Sequence, residues 1–167
     1  MAQVAVDFLM GPDWLSRLIS YYGQGPNGWS HAASVLSDGR YLDARNDVLA
    51  GVPAGVHIRL PSTEKWIRKR RAWKEVTDAQ YADWEANLRA KITDPYARGD
   101  IETFIFNRDR HKMGTYDCSE LAINAMQHIK LVPFPLAIPA HQITPNVCLL
   151  LLQAVGFTVD PVQVPLK

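Results

Sequence analysis

Cys118 stands in "GTYDCSELAINA" (114 to 125), where a loop gives way to a helical pattern. A thiol in the first turn of a helix lies among unpaired backbone N–H groups, at the positive end of the helix dipole. Both effects lower its pKa. The chemistry this allows is nucleophilic attack by a thiolate, given a base and a group that orients the base. Of the five histidines, His31 in "GWSHAASVL" heads a small, apolar run in which it has no evident structural task. Asp43 follows twelve residues on in "YLDAR", where a carboxylate can accept the imidazole's other N–H and set its tautomer. Asn46 and Asp47 are close substitutes for that role. His57 in "GVHIRL" is the rival base. His111 reads as a loop residue, His128 as helix surface and His141 as a loop cap. Cys148, in "VCLLLL", reads as core.

A geometric condition follows. "SHAASVL" and "RYLDAR" flank "SDG", so residues 30–45 read as a β-hairpin. A strict two-residue turn at Asp38-Gly39 would put His31 and Asp43 on opposite faces of the sheet. A three-residue loop, with Gly39 in a bulge, puts them on the same face.

The elements that must hold these residues are legible from pattern. A short helix is expected over 12–23, with Asp13 as N-cap, then a loop over 24–28. Residues 55–61 and 71–76 read as further strands. Residues 77–92 form the clearest helix: Thr77 and Gln80 make a capping box, and Tyr81, Trp84, Leu88 and Ile92 share a face. From Cys118 onward, Cys118, Leu121, Ala122, Ala125 and Ile129 form an inward stripe. Residues 131–140 are a Pro-interrupted apolar loop. A last helix is expected over 144–156, with Thr144 as N-cap, Pro145 at its first position and Gly156 past its end. Helices segregated from a run of strands predict an α+β layer fold in a single domain, 1–167.

Composition narrows the function classes. The chain has 167 residues, 47% apolar and 21% charged, with a net charge of +1. That balance points away from a nucleic-acid partner. The longest apolar run, 147–152, is far short of a membrane span, and the first residues lack the pattern of a secretory leader. The expected location is therefore the cytoplasm, with delivery outside by a route needing no leader as the other option. Two cysteines make no disulfide framework, and no Cys or His pair has metal-ligand spacing, so neither a metal nor another cofactor is expected. "GQGPNG" lacks the lysine and context of a phosphate cradle. The basic run "KWIRKRRAWK" (65–74) reads as a solvated strand edge.

"YDCSELA" resembles the cysteine motif of the NlpC-type cell-wall peptidases, and "SHAASVLSDGRYLDA" resembles their histidine hairpin. Common members carry the cysteine first. Here His31 precedes Cys118, which resembles the circularly permuted branch, the YiiX-like proteins and the relatives of lecithin retinol acyltransferase. The resemblance implies a papain-like fold, an antiparallel sheet packed against helices with the nucleophile at a helix N-terminus. It implies Cys118 as nucleophile, His31 as base and later acid, Asp43 as orienting group, and Tyr116 as an oxyanion donor beside the Cys118 N–H. The family's usual glycine is Glu120 here. The implied activity is a thiol peptidase or amidase acting on a peptide or acyl substrate, cell-wall peptides first and lipid amides or esters second. A non-catalytic binding or structural module of a phage-like or secretion assembly is the alternative of another class. A delivery or immunity partner is compatible with either.

Overall fold

The computed structural model describes residues 1–13, 16–17, 28–46, 51–97, 115–133, 136 and 139–165. Asp13 accepts the Ser16 N–H at 2.8 Å, as an N-cap does. The rest of the expected 12–23 helix lies outside the described residues, as do the loop up to residue 27, Asp47, His111 and part of the 131–140 loop.

Six strands form one antiparallel sheet: β1 (Ala2–Met10), β2 (His31–Val35), β3 (Tyr41–Arg45), β4 (Gly55–Arg59), β5 (Arg68–Val76) and β6 (Thr158–Val159), in the order β4-β3-β2-β1-β5-β6. Three helices are described: α1 (Asp78–Arg89), α2 (Cys118–His128) and α3 (Pro145–Ala154). The α+β class follows, with helices packed on an antiparallel sheet. No helix among the described residues is long and apolar enough to cross a membrane.

The central strand, β1, is one that pattern reading passed over. "AQVAVDFLM" is buried on both faces from Val4 to Met10, and with Ala5 and Leu9 on the face of Asp7 it lacks the clean alternation that marks a half-exposed strand. β5 also differs from expectation. It starts three residues earlier than expected and lies between β1 and β6 rather than at an edge. Its charges are absorbed locally: Arg71 pairs with Asp7, Arg70 donates to the Asp160 carbonyl, and Lys74 donates to the Val155 carbonyl.

Val4, Val6, Phe8, Ala32, Leu42, Ala44 and Val56 point to one face of the sheet and meet the inward sides of α1, α2 and α3. α2 lies across β2 and β3, with the small residues Ala32 and Ala44 beneath it and Ala122 and Ala125 on its own buried side. Small side chains on both surfaces let helix and sheet approach closely. The expected capping box forms at α1, where Gln80 N–H donates to Thr77 Oγ1 and Thr77 N–H to Gln80 Oε1. Trp84 and Leu88 are buried beneath it. At α3, Thr144 accepts the Val147 N–H and Pro145 occupies the first turn.

Candidate active site

The hairpin meets the condition set by its sequence. Leu36 N–H donates to the Arg40 carbonyl, enclosing Ser37, Asp38 and Gly39 as a three-residue loop, and Gly39 adopts φ +78°. The residue there must take a left-handed conformation, which glycine does without steric penalty. Val35 pairs with Tyr41, so the odd residues of both strands share a face, and His31 and Asp43 with them. His31 Nε2 lies 2.7 Å from Asp43 Oδ2.

β2 and β3 pair only at Ser34↔Leu42 and Val35↔Tyr41. Toward His31 the ladder lapses, and the Ala32 amide is available to another acceptor. It favours the charged form of the Cys118 thiol. Cys118 opens α2 and is buried. Asp117 caps the helix, accepting the Ser119 and Glu120 N–H groups at 2.7 and 2.8 Å. This leaves the Cys118 N–H as the first-turn donor that the cap does not take. Ser119 Oγ lies 3.9 Å from the sulfur.

The charges follow from these contacts. Burial opposes ionisation of Cys118, but the His31 charge, its hydrogen bond and the Ala32 amide outweigh it and lower the thiol. Burial likewise opposes a charged His31. The Cys118 thiolate and Asp43 override it and hold the ring's pKa up at about 10. Both shifts run in the direction that favours a thiolate beside an imidazolium. Because Nε2 is bound to Asp43, Nδ1 is the nitrogen left to exchange a proton at Cys118.

Arg59 was not expected in the site. Its Nε donates to Asp43 Oδ1 at 2.7 Å and its Nη2 to the Gly55 carbonyl at 2.9 Å, and its side chain is 0% exposed. Tyr41 lies opposite Arg59 and Asp43 opposite His57, so Arg59 reaches Asp43 diagonally on one sheet face. Asp43 is held below the usual carboxylate range: burial pushes it up, and the His31 hydrogen bond and charge, then Arg59 and Arg45, overcome that. The outcome is a buried row of alternating charge, Cys118, His31, Asp43 and Arg59, with no net charge to desolvate. The sequence signal for Arg59 was an arginine closing the short strand "GVHIR".

Tyr116 lies elsewhere. Lys91 Nζ sits 5.2 Å from its ring centre, and Tyr116 raises the pKa of that ammonium. It lines a cleft of about 650 Å³ beside α1 and α2, with Asn87, Lys91, Asn124 and Gln127. Cys118, His31 and Asp43 are not among the residues lining that cleft. An ammonium can only donate to the Tyr116 oxygen beside it, which leaves the phenolic O–H able to donate elsewhere.

The other sequence candidates separate cleanly. His57 is the cross-strand neighbour of Asp43, yet the imidazole bonded to Asp43 is that of His31. His128 bonds Asp83 on the surface. His141 lies in a single 3-10 turn. Cys148 is fully buried in α3, and burial pushes its thiol well up, with the charges of Cys118 and Asp117 adding to the effect. Asn46 follows β3 directly.

Compared with models of known protein families and with curated proteins, the chain matches none.

Proposed function

We propose that the protein is a thiol hydrolase acting by acyl transfer, with the circularly permuted, papain-like arrangement of the NlpC-type peptidases. The observation that carries this reading is the 2.7 Å contact between His31 and Asp43, beside a helix-terminal Cys118 whose thiol is lowered and whose imidazole partner is raised. The Cys118 thiolate attacks the carbonyl carbon of an amide or ester, and the C=O electron pair moves onto oxygen. The Cys118 N–H donates to that oxyanion. Collapse restores the carbonyl, leaves a thioester on Cys118, and expels the leaving group with the proton from His31 Nδ1. The neutral imidazole then takes a proton from water, which attacks the thioester. The acid is released and the thiolate–imidazolium pair is restored. Asp43 and Arg59 hold the ring through both halves.

The substrate class rests on the resemblance of the two motifs to cell-wall peptidases: peptide amides of bacterial cell-wall fragments. Such fragments, incubated with the protein and followed by mass spectrometry, are expected to gain the mass of one water per cleavage, and to stay intact with Cys118→Ala. Intact fragments alongside a reactive thiol overturn the peptide assignment. A thiol that alkylates no faster than a free cysteine overturns the hydrolase.

A further inference from the structure

α1 and α2 run antiparallel, as two contacts between them show. His128, at the end of α2, bonds Asp83 in the first half of α1, while Lys91, just past α1, lies over the ring of Tyr116, just before α2. The cleft of about 650 Å³ follows the seam between the two helices, with Lys91 and Tyr116 at one end and His128 and Lys130 at the other. We propose that this cleft is a second binding site, for a short extended peptide that carries a carboxylate at each end. The inference is independent of the hydrolase reading above.

The lining supplies what such a ligand needs. Among the described residues it includes two lysines and no carboxylate. Asp94 acts on Lys91 and Asp83 pairs with His128, both from outside the lining. Lys130 makes no ion pair among the described residues. Between the charged ends lie three carboxamides. Asn87 stands about one helical turn before Lys91, and Asn124 and Gln127 share a face of α2. Each can both donate and accept, as a peptide group does. Gln127 Nε2 donates to the Pro133 carbonyl at 3.0 Å, which settles which amide atom is nitrogen and leaves Oε1 as the acceptor. Length then sets the ligand. α2 has 11 residues, roughly 16 Å at about 1.5 Å each, a distance that about five extended residues span at about 3.3 Å each. The backbone of Lys130 is a further sign. It holds φ +62° and closes α2 as a Schellman motif does, its N–H donating to the Gln127 carbonyl and that of Leu131 to the Met126 carbonyl. Glycine is the usual residue in that place, because a Cβ is strained in the left-handed region. A lysine there puts an ammonium at the end of the cleft despite the strain.

The probe is succinyl-Ala-Ala-Ala, which has a carboxylate at each end and only uncharged amides between. It is titrated into the full chain by calorimetry at low salt, where partly exposed charges are least screened. Saturable one-to-one binding is expected, weakened about tenfold or more by Lys91→Ala and by Lys130→Gly. Glycine fits the left-handed backbone at position 130, so Lys130→Gly is expected to keep or raise its Tm while it loses affinity, a combination that a purely structural lysine would not give. Acetyl-Ala-Ala-Ala, with a single carboxylate, is expected to respond to only one of the two substitutions. The same peptide with its C-terminus amidated carries no charge and is expected not to saturate the site. Failure of succinyl-Ala-Ala-Ala to bind saturably overturns the site, as does binding that survives both substitutions. Succinate binding as tightly as the succinyl peptide overturns the peptide assignment and leaves a simple anion site.

Discussion

Two buried carboxylates lie on the same face of the sheet, two strands apart. Asp43 on β3 and Asp7 on β1 are each essentially inaccessible, and each pairs with an arginine. Their surroundings otherwise diverge. Asp7 receives Arg71 through both oxygens, at 2.7 and 2.9 Å, and the Tyr41 hydroxyl at 2.7 Å. Burial and the Asp7 charge push Tyr41 far above its ordinary value, so the hydroxyl keeps its proton and serves only as a donor. Arg71 is 37% exposed and opens to water. Asp43 instead divides its oxygens between a buried guanidinium and an imidazole that continues to a thiol. The Asp7 cluster is complete as it stands, with no group poised to transfer a proton. The Asp43 row ends on a thiol, and Cys118, His31 and Asp43 are all displaced from their ordinary values. A buried ion pair alone is therefore no sign of chemistry. A buried pair that continues to a thiol of shifted pKa marks a candidate site.

The sharpest way to test this contrast is to remove each carboxylate. Asp43→Ala leaves Arg59 charged and enclosed, and is expected to cost about 3–5 kcal/mol in urea unfolding as well as the low-pH reactivity of Cys118. Next in size is His31→Ala. A free thiol of pKa near 8.5 is well under 1% ionised at pH 6, so alkylation of Cys118 at that pH is expected to fall by about 10²-fold; Cys148→Ala serves as the background. Asp7→Ala strands the Tyr41 hydroxyl but lets Arg71 turn to solvent. It is expected to cost about 1–3 kcal/mol and leave the alkylation profile of Cys118 in place. Equal loss of thiol reactivity in the Asp7 and Asp43 variants would break the comparison. The smallest effect is at Gly39, where a Cβ meets open space but φ is +78°. Gly39→Ala is expected to cost about 1 kcal/mol with unchanged thiol reactivity, since the loop keeps its length.

The same contrast extends to pH. His31 holds its proton to about 10 when folded, against 6.5 for an ordinary histidine. The stability it contributes is complete below about pH 6.5 and is lost as pH rises through about 10. Cys118 and Asp43 are both lowered, so their contributions are present above their unfolded values and fade as pH falls through their folded ones. Acyl transfer, which needs the thiolate and the imidazolium together, is expected to decline on the alkaline side near pH 10. In Asp43→Ala that limb should move to lower pH, and in Asp7→Ala it should stay where it is.

Local features of this protein were legible in its sequence because they depend on backbone geometry within a few residues. The capping box at Thr77, the N-caps at Asp13 and Thr144, and the start of α2 at Cys118 all follow from side chains meeting nearby amides. The three-residue turn was reachable too, since facing His31 toward Asp43 required a loop of that length, and Gly39 could adopt it. What lay beyond the sequence depended on sheet order. β1 lacks clean alternation because segments distant in the chain bury both its faces, and the basic run of β5 is interior because β6 returns to pair with it. Arg59 meets Asp43, Lys91 lies over the Tyr116 ring, and Asn146 anchors the segment leading to His31, through contacts between segments whose proximity no local periodicity encodes. The residue types at the candidate site were set by the sequence. Which of them touch was decided by the tertiary fold, because side-chain pairing across a sheet depends on strand order and register.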